Sequence, residues 1–208
     1  MPIPLPEALA LAAQCAPAVA PETLMAIVQV ESRFNPLAIG VNGQPRVTVT
    51  ARTPREAAAR ASALIAAGRS VDLGLAQINS GNLAWLGLSV EAAFDPCLNL
   101  AAAQRVLQDG YARSAPASVG EQPALLTALS YYNTGHPRRG FANGYVARVT
   151  TATARFTPAI LDAVRSVPAT STPAIAVLAP PAWDVFGQVE PTPGFFIRAS
   201  TSIPGDIP

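Results

Sequence analysis

The chain has 208 residues, half of them hydrophobic, and a formal net charge of +1. That length suits one domain with extra sequence and supplies enough apolar residues for a sizeable core. The near-neutral charge excludes a nucleic-acid footprint and a strong pull toward acidic membrane surfaces.

No stretch approaches the roughly 18 uninterrupted apolar residues that a membrane-spanning helix requires, so an integral membrane protein is not expected. The N-terminus has no basic segment ahead of an apolar one, so a cleavable secretory signal is not expected either, and residues 1–14 read as a lead segment. LAAQC at 11–15 is only loosely like a lipoprotein cleavage site, because Gln14 stands where a small residue belongs. Pro21 suits the first turn of a helix running to about Ser32, where Phe34-Asn35-Pro36 stops it. Asn42-Gly43 reads as a tight turn, and Arg46–Arg52 alternates with β-branched residues, predicting a small hairpin or extended excursion. Thr53 and Glu56 bracket a capping-box start to a helix reaching Ala67, with Gly68 closing it. Leu75–Asn82 is predicted as a short helix, and Asn99–Gln108, Ala124–Tyr132 and Tyr145–Ala154 as three more.

Residues 158–208 hold nine prolines in 51 residues, against 12 in the preceding 157. That density defeats helices and a packed core, which predicts a largely disordered tail. Two apolar islands, Trp183–Phe186 and Phe195–Ile197, interrupt it and are either partner-docking segments or scattered residues. The two cysteines, Cys15 and Cys97, are compatible with buried free thiols. One disulfide between them, closing a long loop and worth ~3–5 kcal/mol in the chain-entropy picture, is the sharper expectation. A disulfide would imply an oxidising compartment such as the periplasm.

In the first helix Leu24, Ile27, Val28 and Glu31 fall at offsets of zero, three, four and seven, so an apolar face ends in a carboxylate. Apolar surroundings and the negative end of the helix dipole both disfavour an anion there, which is what a general acid requires. Taken alone, such a glutamate points to solvent or pairs with a neighbour such as Arg33.

Three segments in order give it company: VESRFNP at 30–36, GLAQIN at 74–79 and ALSYYNTG at 128–135. Together they resemble the signature motifs of the bacterial lytic transglycosylases related to goose-type lysozyme. Cys15-Ala16-Pro17 and Asp95-Pro96-Cys97 look closest to the peptidoglycan-remodelling subunit of type IV secretion systems. The resemblance implies a mainly α, lysozyme-like fold over residues 15–157, with the hairpin as its small β excursion. It implies Glu31 as the catalytic acid/base and Ser32 as a partner that orients substrate. Gly74, Gln77 and Asn79 match the glycine-led motif lining the saccharide cleft, and Tyr132 and Asn133 match the third motif. Tyr145, in a looser GYVARV match, corresponds to a later tyrosine that approaches the glutamate.

Ordinary glycosidases need two carboxylates. Asp72 is the nearest second candidate, though a helix-capping role suits it better. The resemblance implies a reaction that needs only one, in which the muramoyl C6 hydroxyl attacks and leaves a 1,6-anhydro end. Attack by water (a muramidase) and a non-enzymatic glycan-binding assembly factor are the alternatives. The single His136 and the distant cysteines exclude a zinc site with ordinary spacing, and no cofactor is expected. Peptidoglycan strands are the expected partner, with secretion-system components meeting the tail and the periplasm as the location.

Overall fold

The computed structural model describes residues 1–43 and 47–165. Among these residues, nine helices of four or more residues and four short strands follow in chain order. They are α1 (Leu5–Cys15), α2 (Pro21–Glu31), β1 (Ile39–Val41), β2 (Val47–Val49), α3 (Pro54–Ala66), β3 (Val71–Leu73), β4 (Ile78–Asn79), α4 (Leu83–Leu86), α5 (Pro96–Arg113), α6 (Pro116–Val119), α7 (Glu121–Thr134), α8 (Arg139–Ala142) and α9 (Tyr145–Arg165). The architecture is the expected mainly helical, lysozyme-like one. The β excursion is larger than a hairpin: the strands form one antiparallel sheet in the order β2-β1-β3-β4.

Helix α2 is the centre of the molecule. Leu24, Met25, Ala26, Ile27 and Val28 are all fully buried, so this helix is wrapped on every side rather than on one face. It packs chiefly on α9, while α5 packs on α7 and on α1. Helix α1 lies in the lead segment and has no counterpart among the predicted helices. It packs Ala8 and Ala12 into the core.

Helix α3 follows its sequence signals closely. Thr53 Oγ1 accepts from Glu56 N–H at 3.1 Å, and Glu56 Oε2 accepts from Arg52 N–H at 2.8 Å, one residue earlier than in the usual box. That backbone bond is the main reason the Glu56 carboxyl sits below its ordinary range. At the other end the N–H groups of Gly68 and Arg69 close on the carbonyls of Ile65 and Leu64, a Schellman cap with Gly68 at φ +75°.

The helix expected over Leu75–Asn82 is not formed. Gly74 (φ +74°) and Gln77 (φ +51°) are both left-handed, which no right-handed helix accommodates. The segment is a tight turn into β4, then a 3₁₀ turn over Ser80–Asn82 capped by Asn79 Oδ1 accepting from Gly81 N–H at 2.9 Å. Helix α5 starts earlier than expected because Asp95 is its N-cap, accepting from Leu98 N–H at 2.9 Å, with Pro96 in the first turn. Helix α9 continues to Arg165, past the expected start of the tail at 158. The rest of that segment, with both aromatic islands, lies outside the described residues.

Cys15 and Cys97 are joined in a disulfide with Cα atoms 5.4 Å apart, tying the end of α1 to the first turn of α5. Cys15 therefore has no thiol left for lipid. Among the described residues no helix is long and apolar enough to cross a membrane.

Candidate active site

Glu31 is the last residue of α2, where the buried helix emerges half-exposed. The chain then turns sharply through Arg33 (φ +53°) and Phe34 (φ +64°), two left-handed non-glycine residues in succession. Such backbone is costly and persists only where packing over-determines it. Phe34 provides that anchor, being buried and set edge-on to Phe156 with ring centroids 6.0 Å apart. Ser32 donates its hydroxyl back to Val28 O at 3.2 Å.

The 74–79 segment is held from below. A Cβ on Gly74 would stand 2.4 Å from Ala93 O and 2.5 Å from Asn99 Nδ2, so only glycine fits. Gln77, nearly buried, donates Nε2 to Ala38 O at 3.1 Å and to Gly74 O at 3.0 Å. The key to the turn is Asn99, fully buried on α5. Its Oδ1 accepts from Ala76 N–H at 2.7 Å, and its Nδ2 donates to Leu73 O at 2.9 Å and Ala93 O at 2.7 Å. Asn99→Ala would strand an N–H and two carbonyls. It is expected to lower the unfolding free energy by about 3 kcal/mol, measured as a shifted urea midpoint. An unshifted midpoint would remove Asn99 from this role.

Asn79 donates Nδ2 to Asp72 Oδ1 at 2.7 Å and to Ser70 Oγ at 3.0 Å. Asp72 thus lies on β3 opposite Asn79 in the sheet, rather than capping a helix. Tyr132 reaches across from α7 and donates its hydroxyl to Ala76 O at 2.7 Å. Burial and then the negative charges of Glu31 and Asp72 push this phenol well above its ordinary range. Tyr145 is fully buried, its hydroxyl without a well-formed hydrogen bond. Burial first, then the charge and hydrogen-bonding reach of Glu31, raise its phenol as well. Both phenols therefore stay protonated beside Glu31 at physiological pH, Tyr132 with its proton directed at Ala76 O.

These groups face a cleft of about 760 Å³. Glu31, Gln77, Asn79, Tyr132 and Asn133 line it together, with Asp72. Three residues expected in the site do not line it: Ser32, Gly74 and Tyr145. The last two act from beneath, one by shaping the turn and one beside Glu31. The sequence reading missed Asn42, Trp85, Asp109, Arg113 and Asn143 on the same walls. Asn143 donates Nδ2 to Asn133 Oδ1 at 2.8 Å, and Arg113 pairs with Asp109 at 3.3 Å while lying 4.2 Å from the Tyr131 ring centroid. His136 is elsewhere, its Nδ1 accepting from Arg138 N–H at 3.1 Å. Among the described residues no group of His, Cys, Asp and Glu is placed to hold a metal.

Comparison with known proteins agrees with this arrangement. Residues 8–153 match the transglycosylase SLT domain family. The chain is 44% identical over 147 residues to protein virB1 of Agrobacterium fabrum, covering 71% of this chain and 59% of that protein. It is 43% identical over 152 residues to protein virB1 of Rhizobium radiobacter, covering 73% of this chain and 63% of the relative. It is also 43% identical over 178 residues to the type IV secretion system protein virB1 of Brucella suis, covering 83% of this chain and 74% of that protein. The alignments with the Agrobacterium and Rhizobium proteins thus span less than two thirds of those relatives. No solved structure matches the chain. With the family match covering most of the chain, and Glu31, Gln77 and Tyr132 meeting in one cleft, this chain belongs to the transglycosylase SLT domain family.

Proposed function

We propose that the chain is a peptidoglycan lytic transglycosylase in which Glu31 acts first as acid and then as base. The observation that carries this reading is the sharing of one cleft by Glu31, Gln77, Asn79, Tyr132 and Asn133. Glu31 protonates the oxygen linking N-acetylmuramic acid C1 to N-acetylglucosamine, and the C1–O bond breaks as that sugar leaves. The substrate's own N-acetyl group supports the cationic centre. The carboxylate now formed removes the proton from the muramoyl C6 hydroxyl, whose oxygen closes on C1. Glu31 ends protonated, a 1,6-anhydro end is made, and neither water nor a cofactor is consumed.

The neighbours suit these tasks. Tyr132 and Tyr145 stay protonated, so neither competes with Glu31 as an anion. Tyr145 is the phenol within hydrogen-bonding reach of Glu31, while Tyr132 has its proton engaged by Ala76 O. Asn133, whose oxygen is engaged by Asn143, offers its amide donors to substrate. Ser32 directs its hydroxyl proton to Val28 O and does not line the cleft, so it supports the end of α2 rather than touching substrate. Gln77 and Asn79 form the floor, and Gly74 sets the turn that carries them.

The other carboxylates in the cleft are engaged, Asp72 by Asn79 and Asp109 by Arg113. One specific feature nonetheless favours a second reading. Asp72 lines the same cleft, and a second carboxylate able to activate water would make the enzyme a muramidase. Mass spectrometry of digested sacculi separates the two. Anhydromuramoyl ends are expected, retained in Asp72→Asn; reducing ends that vanish in Asp72→Asn would replace this mechanism with hydrolysis. A protein that binds sacculi and cuts nothing would be a glycan-binding assembly factor.

The relatives bearing the name type IV secretion system protein support a place in that apparatus, opening the wall locally for its assembly. The disulfide supports an oxidising compartment, and the periplasm is where peptidoglycan and such a bond coexist. Residues 166–208, beyond α9, would engage the secretion components, and their removal would leave wall cleavage intact while weakening assembly.

A further inference from the structure

The cleft extends beyond the residues that the three motifs supply. One wall comes from α4, a helix of four residues, and carries Trp85 with 46% of its surface exposed. A single exposed apolar side chain needs no explanation in general. Trp85 differs in being held from several directions. Its indole Nε1 donates to Asn82 Oδ1 at 3.1 Å. The Arg105 guanidinium lies 5.5 Å from its ring centroid. The same guanidinium donates to Leu86 O at 2.7 Å and Trp85 O at 3.3 Å, satisfying the carbonyls that end α4. Arg105 belongs to α5 and does not line the cleft, so the indole is fixed to the core from outside the site it serves.

The geometry points to Trp85 as an aromatic platform for an N-acetylhexosamine ring of the glycan strand, a binding subsite on an element outside the three motifs. This rests on the glycan-cleaving reading of the cleft. A pyranose presents a row of weakly positive C–H groups on one face, which matches the negative face of an indole. A ring with only two side-chain torsions, both already restrained, loses little entropy when a sugar lands on it. Asn82 lines the cleft beside it, and with its oxygen taken by the indole it has amide donors for a sugar hydroxyl or acetamido oxygen. Arg105 is a positioning residue.

The test exploits the chain's two tryptophans. With Trp183→Phe, Trp85 becomes the sole indole, and the full chain is titrated with a β-1,4-linked N-acetylglucosamine oligosaccharide. A saturable change in emission is expected. In parallel, Trp85→Ala should raise KM for solubilised glycan roughly tenfold, the scale of loss when an aromatic anchor is truncated. Trp85→Phe should recover most of it, and Arg105→Ala should raise KM with kcat retained. Unchanged KM in both Trp85 variants, or flat emission while calorimetry registers saccharide binding, overturns the platform. Sacculus cleavage with flat emission removes the platform alone. An emission change with uncut sacculi supports the platform and removes the enzymatic reading.

Discussion

Glu31→Gln is expected to slow sacculus cleavage by about 10²–10⁴-fold, the contribution of one positioned acid/base group, with the fold left intact. Glutamine keeps the shape and hydrogen-bonding reach of the side chain and cannot deliver a proton to the leaving oxygen. No other group in the cleft is free to take over: Tyr132 and Tyr145 have phenols raised far from any useful range, and Asp72 and Asp109 are engaged. The fold should tolerate the change because residue 31 sits half-exposed at the end of α2, beyond the buried run that ends at Val28. The measurement is initial rate on purified sacculi beside a thermal midpoint. A shift within about 0.5 kcal/mol would be ordinary for a partly exposed position. Full activity in a folded Glu31→Gln protein would remove this residue from the chemistry and leave the cleft without an acid.

What could be read from the sequence depended on whether a feature is local. Helix α3 was legible because Thr53, Glu56 and Gly68 each act within a turn of their own position. The central helix was placed correctly, but its environment was not: Met25 and Ala26 are as buried as Leu24 and Val28, and spacing does not reveal a helix enclosed on all sides. Helix α1 was missed because alanines supply its innermost contacts and give weak hydrophobic contrast. Leu75–Asn82 misled because its apolar spacing suits a helix, whereas Asn99 holds the segment in a left-handed turn from 23 residues away. Nothing near Asn99 marks that role. The motifs contain Glu31, Gln77, Asn79, Tyr132 and Asn133, which line the cleft. They omitted Trp85 and Arg113, which reach the cleft only through packing of α4 and α5, and they could not show that Ser32 turns its proton inward.

Breaking the Cys15–Cys97 bond is expected to destabilise the protein by about 4.5 kcal/mol, the chain-entropy value for the 82-residue separation that it spans. For a chain of this size that corresponds to a thermal midpoint roughly 10–15 °C lower. Most of the loss should begin in α1. That helix seats itself through Ala8 and Ala12, with Leu5, Leu9 and Leu11 only partly covered. A buried methyl contributes about 0.8 kcal/mol, so its own packing is of the same order as the bridge. Once the bond is cut, the nearby tie to α5 is the bond from Ala18 N–H to Gln104 Oε1 at 2.8 Å. Hydrogen exchange in residues 5–15 should therefore accelerate in Cys15→Ser/Cys97→Ser before the rest of the protein opens. Equal midpoints for the oxidised and serine forms would mean that the bridge holds nothing packing does not already hold. No residue of α1 lines the cleft, so below the lowered midpoint the serine form should cleave sacculi at the wild-type rate. Stability and catalysis then separate along the chain: the bridge secures the N-terminal helix to α5, and the proton transfer at Glu31 proceeds without it.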